Sequence, residues 1–144
     1  MKHNLAGLIF VFLLGCGHLD IVDYNPNPHY KNPAETIQRI IRSQPTSYAT
    51  IPYEVTVMSD CFEMIVAERR SSTPIPLPVG PSYTANVSKV ICYKNIGKVI
   101  LHSSEVWYVD IYDRLGYWMY SVYSFDEVDA KRFIDALYTM IESQ

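Results

Sequence analysis

Val106-Trp-Tyr-Val-Asp-Ile-Tyr-Asp-Arg-Leu-Gly-Tyr-Trp-Met-Tyr-Ser-Val-Tyr-Ser-Phe-Asp-Glu127 is the stretch that decides the fold class. Two runs rich in β-branched and aromatic residues flank Asp113-Arg-Leu-Gly116, whose composition is that of a turn, so a hairpin of strands over 105–111 and 117–123 is expected. Gly116 takes the left-handed position that closes such a loop at least cost. Ser124 and Glu127 have capping-box spacing, with Tyr123 and Val128 placed for a hydrophobic staple, so a helix is expected over 125–142. Asp126, Glu127 and Asp129 put negative charge at the positive end of its dipole. Ala130, Phe133, Ile134, Leu137 and Ile141 recur at steps of three and four. They form one apolar stripe that must cover the preceding sheet, and Lys131, Arg132, Asp135 and Glu142 lie off it.

Upstream of this unit, the chain begins with Met1-Lys-His-Asn and an apolar run over 5–14. That run is shorter than the roughly twenty residues a bilayer span needs and reads as the core of a secretory signal, removed from the mature protein. It ends in Leu13-Leu14-Gly15-Cys16, which resembles the lipobox of bacterial lipoproteins. The resemblance implies cleavage after residue 15, acylation of Cys16 and retention on a membrane; Leu14 is a less usual occupant of its position. An ordinary secretory signal with an incidental Cys16 is the other reading. Gly17 and His18 after the cysteine, in place of aspartate, resemble the sorting pattern for the outer membrane, facing the periplasm, in enteric-type bacteria. In a Gram-positive host the anchor would be the outer leaflet of the only membrane.

Twelve Lys and Arg against fifteen Asp and Glu give the chain a formal charge of −3, and removal of residues 1–15 takes away one lysine and no acid. An acidic domain of this kind is a poor partner for nucleic acid. Residues 16–32, with Asn25-Pro-Asn-Pro28 at their centre, show no periodicity and read as a flexible tether reaching roughly 50 Å. At Asn32-Pro-Ala-Glu35 a cap, a proline and a glutamate mark the start of a short helix over 33–43, with Ile37, Ile40 and Ile41 on one side. Strands follow over 53–58 and 61–68. Next comes a segment over 71–81 with four prolines that cannot enter a sheet interior and reads as an exposed connector. Further strands are expected over 87–93 and 98–102, the latter pair around an Asn95-Ile-Gly97 turn. A single α+β domain over 33–144, of six to seven strands ending in a helix, is the consequence.

This order resembles the pleckstrin-homology-like superfold, including its GRAM-type branch. The resemblance rests on Ile91-Cys-Tyr-Lys-Asn-Ile-Gly-Lys-Val99 with its I-x-Y-x-x-I pattern, and on the hairpin and helix from Val109 to Leu137. It implies a strongly bent antiparallel sheet or partly open barrel capped by the C-terminal helix. Phosphoinositide binding, which eukaryotic members perform through basic residues in the first strand loop, does not carry over: Met58-Ser-Asp60 has no positive charge.

Catalytic and metal motifs are scarce. No glycine-rich phosphate loop, HExxH or CxxC occurs, no cofactor is called for, and of four histidines only His102 falls within the expected domain. Its neighbours Ser103, Ser104 and Glu105 point in different directions at a strand end, so their proximity is not a triad. Cys61 and Cys92 remain once Cys16 is acylated. An oxidising envelope permits them to pair if their Cα atoms come within about 7 Å, and two buried thiols are the alternative. The richest feature is aromatic. Trp107, Tyr108, Tyr112, Trp118 and Tyr120 crowd one hairpin, where alternation forbids all of them from facing the core, and they form the candidate binding surface. Three functions fit these observations: a non-enzymatic envelope lipoprotein that binds another envelope protein, a binder of a small apolar ligand or glycan, and a hydrolase centred on His102.

Overall fold

The computed structural model describes residues 20–71 and 82–144. The expected signal, Cys16 and most of the proline-rich segment lie outside the described residues. In chain order the elements are β1 (Asp20–Val22), α1 (Pro33–Arg42), β2 (Glu54–Val57), β3 (Cys61–Ser71), β4 (Ser82–Cys92), a 3₁₀ turn (Tyr93–Asn95), β5 (Ile96–Ser103), β6 (Trp107–Asp113), β7 (Trp118–Ser124) and α2 (Glu127–Glu142). The fold is α+β. The strands form two antiparallel sheets, ordered β1-β5-β6-β7 and β2-β3-β4, and not a closed barrel.

Alternation along the hairpin separates two faces. Leu101, Val109, Ile111 and Val122 turn inward beneath α2, joined from the other sheet by Val55, Phe62, Met64 and Ile91. From α2 come Ala130, Phe133, Ile134 and Leu137, and from α1 the fully buried Ile37, Ile40 and Ile41. Tyr93, leading out of β4, is fully buried against Phe62. Cys61 and Cys92 are Cα partners at the ends of β3 and β4 and are joined by a disulfide across 31 residues. Closing a loop of that size removes about 3–4 kcal/mol of chain entropy from the unfolded state.

Both helix starts differ in detail from expectation. The cap of α2 is Asp126, whose Oδ1 accepts the Val128 N–H at 2.9 Å. Ser124 instead accepts the Asp126 N–H at 3.0 Å, one local turn earlier, and Val128, expected to staple against Tyr123, is 50% exposed. At α1, Asn32 occupies the cap position in a left-handed conformation, φ 53°, and its side chain makes no capping bond. Asparagine is there because it tolerates that backbone, after which Pro33 supplies the helical φ.

The larger correction concerns residues 20–32, expected as a tether. They are docked. β1 pairs with β5, Asp20 opposite Ser103, and the chain then crosses α2 as a strap. The Tyr24 hydroxyl donates to both carboxylate oxygens of Asp135 at 2.9 and 3.0 Å, the Asn27 N–H donates to Asp135 Oδ1 at 2.7 Å, and the Tyr30 N–H donates to Thr139 Oγ1 at 3.0 Å. Asp135, expected on the solvent side of α2, is only 8% exposed. The strap is held by hydrogen bonds to Asp135 and Thr139 and by Val22, Tyr24 and Tyr30 packed on the core at irregular spacing, which is why no periodicity marks it.

Burial first, then the hydrogen bond and charge of Asp135, push the Tyr24 phenol up to about 12 from 10.0. The folded chain therefore keeps a proton that the unfolded chain gives up. Tyr24's contribution is complete below about pH 10 and is lost as pH rises through about 12. A phenolate absorbance titration of the wild type minus that of Tyr24→Phe is expected to isolate one tyrosine with a midpoint near 12. A midpoint near 10 would show the strap undocked.

Candidate functional site

The outer face of the four-stranded sheet carries most of the polar and aromatic residues that the core does not use. Register places His102 opposite Tyr108 and Tyr108 opposite Tyr123, so three rings from three adjacent strands form a row. His102 stacks on Tyr108 at 4.5 Å between centroids and 9° between planes, Tyr108 on Tyr123 at 5.5 Å, and Tyr123 on Tyr48 at 6.0 Å, with Phe125 edge-on to Tyr48. Each ring covers the face of the next. A sugar needs an open ring face to stack on, and a row of this kind withholds most of them.

Beside the row Asp110 gathers polar groups. Its Oδ1 accepts from the Ser121 hydroxyl, which in turn accepts the Trp118 indole N–H at 2.9 Å. The Tyr112 hydroxyl lies 3.4 Å from Oδ2, and His102 Nε2 lies 3.1 Å from the same oxygen. The His102 contact is within ion-pair range but off the axis of a hydrogen bond, so both ring nitrogens of this 6%-exposed residue lack an aligned partner. Burial first, then the Asp110 charge, holds the Tyr108 and Tyr112 phenols above their ordinary value, so both stay protonated donors.

His102, Asp110 and Ser121 are the residue types of a hydrolytic triad, but they meet in the wrong order. Asp110 stands between the other two, so the Ser121 proton goes to a carboxylate and the imidazole has no hydroxyl to activate. Ser103, next to His102, falls on the opposite face by strand alternation. Among the described residues no group of three or more His, Cys, Asp or Glu side chains could hold a metal ion. No family model, curated protein or solved structure matches the chain.

Of the five aromatics expected to form a binding surface, the structure brings three to the outer face, Tyr108, Tyr112 and Trp118. Trp107 is a correction: it packs on the core cluster, alternating with Tyr108. Tyr120 leaves the outer face because a bulge between Ile111 and Tyr112 shifts the register; it is 9% exposed, with its hydroxyl 3.3 Å from Gln44 Nε2, and lines the cleft beside β7.

Gln44 and Tyr48, in the loop after α1, had no sequence signal. Buried Gln44 donates to the Ile41 carbonyl at 3.0 Å and accepts the Tyr123 N–H at 2.9 Å. The second bond shows which way β7 faces. Tyr123 sends its N–H to Gln44 and not to β6, so in an antiparallel ladder Ser121, two residues earlier, also turns its backbone groups to the open edge. Among the described residues no strand pairs with β7 on that side. A cleft of about 230 Å³ runs along this edge, walled by Tyr48, Trp118 and Tyr123 on one side and by Val66, Glu68 and Lys89 on the other. Glu68 and Lys89 pair at 3.2 Å on that second side.

Proposed function

We propose that this chain is a membrane-anchored, non-enzymatic envelope lipoprotein, held through acylated Cys16, whose domain binds an extended segment of another envelope protein along the β7 edge. The cleft beside that edge carries the reading. A strand laid in it would pair with the outward N–H and C=O of Ser121, the Tyr123 N–H being already held by Gln44, while Tyr48 and Trp118 receive its alternate side chains. Trp118 is 59% exposed even though its indole N–H is fixed by Ser121. A large ring held in one rotamer gives contact area at little entropic cost. The pleckstrin-homology-like assignment is supported by sheets of four and three strands followed by a C-terminal helix. Placement at the outer membrane, facing the periplasm, rests on Cys16-Gly-His18.

In-cell crosslinking of the full-length chain and capture should recover one envelope protein. Trp118→Ala should lower that recovery at least tenfold, and Cys16→Ser should abolish it by removing the protein from the membrane. Recovery indifferent to Trp118→Ala would count against the cleft as the binding surface.

A second reading has its own observation. A cavity of about 270 Å³ beside the strap, lined by Val22, Val99, Leu101 and Ile134 together with Asp23, Tyr24 and Lys98, offers apolar walls and polar groups to a small ligand. Native mass spectrometry of the purified domain would show such a ligand as a discrete added mass.

A further inference from the structure

We infer that the anchored domain does not stand off the membrane but sits flush on the headgroup surface of the leaflet that holds its acyl chains, with the β1 end of the four-stranded sheet against lipid and the β6–β7 turn pointing away. This inference rests on the acylation of Cys16. The docked strap leaves only four peptide units between Cys16 and Asp20, which reach at most about 14 Å. Asp20 is fixed by pairing with Ser103, which pairs in turn with Trp107, and Trp107 with Ser124. That whole end of the sheet is therefore drawn to the lipid. Exposed Ile21 at 69%, Phe125 at 72% and Val128 at 50% lie there and give it apolar contacts with the headgroup boundary. Glu105, Asp126 and Glu127 share this end and keep the contact superficial, because carboxylates are costly to bury.

At the opposite end Tyr112 pairs with Trp118. Five residues of strand separate that level from Trp107, about 17 Å. Trp118, at that end of the β7 cleft, would thus be held away from the lipid, where a partner can reach it, while Tyr48, against Phe125, lies at the lipid end.

The two tryptophans report the orientation directly. Full-length acylated protein is reconstituted into phosphatidylcholine vesicles carrying a trace of dansyl-labelled phosphatidylethanolamine, and energy transfer to the headgroup dye is compared in Trp118→Phe, which leaves Trp107, and Trp107→Phe, which leaves Trp118. Transfer from Trp107 is expected to be several-fold higher. Insertion of ten Gly and Ser residues between Gly17 and His18 should bring it down toward that of Trp118. Amide exchange of the unsubstituted protein, anchored against its Cys16→Ser form, gives the same answer without either tryptophan change: added protection at 103–107 and 124–128 and none at 113–118. Equal transfer from both tryptophans, with acylation of Cys16 established by mass, would overturn the seating and leave the anchor standing. A Cys16 without added acyl mass would overturn the anchor, and the seating with it.

Discussion

Asp135→Ala is expected to cost about 2–3 kcal/mol and to release residues 20–27 from the body of the domain. The Asp135 carboxylate accepts the Tyr24 hydroxyl and the Asn27 N–H, whereas Thr139, which holds Tyr30, donates to the Asp135 backbone carbonyl at 2.8 Å, a bond the substitution keeps. Removing the carboxylate strands donors that α2 and the strap have partly taken out of water, and their desolvation is no longer offset. Tyr24→Phe removes one of those donors and leaves the acceptor satisfied, so it should cost only about 1 kcal/mol. Denaturant unfolding measures both losses, and amide exchange shows where they act. Asp135→Ala should deprotect the strap and β1 while leaving β3 and β4 unchanged. Equal losses for the two variants would mean that Asp135 is not the anchor of the strap.

Gly97→Ala should destabilise the domain by about 2–3 kcal/mol, because a Cβ there would stand 2.5 Å from the Asp113 carbonyl oxygen and 2.6 Å from the Arg114 Cα. Both obstacles are backbone, and neither can swing aside. The start of β5 would have to part from the β6–β7 turn, breaking the 3.1 Å bond from the Arg114 N–H to the Asn95 carbonyl. Gly116 provides the contrast. Its φ of 88° strains an alanine by about 1–2 kcal/mol, yet nothing lies within 4 Å of the added Cβ. Thermal unfolding of the two variants should rank Gly97→Ala as the more damaging, and the reverse order would contradict the packing described at β5.

These two glycines mark where local sequence stops being informative. Gly116 was legible because a turn between two aromatic strands announces its own backbone requirement. Gly97 read only as a turn residue, because what forbids its side chain is a backbone segment sixteen residues away. Asp135 follows the same logic. Helical periodicity assigned it to the solvent face of α2, since it lies off the apolar stripe, and nothing near it announced that a strap from residues 20–32 would cover that face. The cap of α2 was displaced from Ser124 to Asp126 because both residues can serve, and only the geometry of the turn decides.

The hairpin aromatics show the opposite case, in which a local rule was sufficient once the register was known. Period-two alternation required some of them to face out and divides Tyr108 and Tyr112 from Trp107, whereas Trp118 and Tyr120, two residues apart, are divided by the bulge opposite Ile111 and Tyr112. Gln44 and Tyr48 were not legible at all. One fixes the direction of the β7 edge and the other forms a wall of its cleft, and both come from a loop whose position depends on α1 docking against α2. The bidentate contact of Arg39 with Asp129, at 3.0 and 3.1 Å, helps set that docking and holds the Asp129 carboxyl below its ordinary range.

Amide exchange at Ser121, followed by nuclear magnetic resonance in the free domain and in complex with the captured partner, tests the edge-pairing account most directly. In the free domain Ser121 should exchange far faster than Val122, whose N–H is committed to β6, although the two are neighbours in one strand. With partner bound, Ser121 should slow by about tenfold, as expected for an amide taken into a new interstrand hydrogen bond worth about 1–1.5 kcal/mol. A Ser121 rate unchanged by the partner, with protection appearing elsewhere, would contradict strand addition at β7.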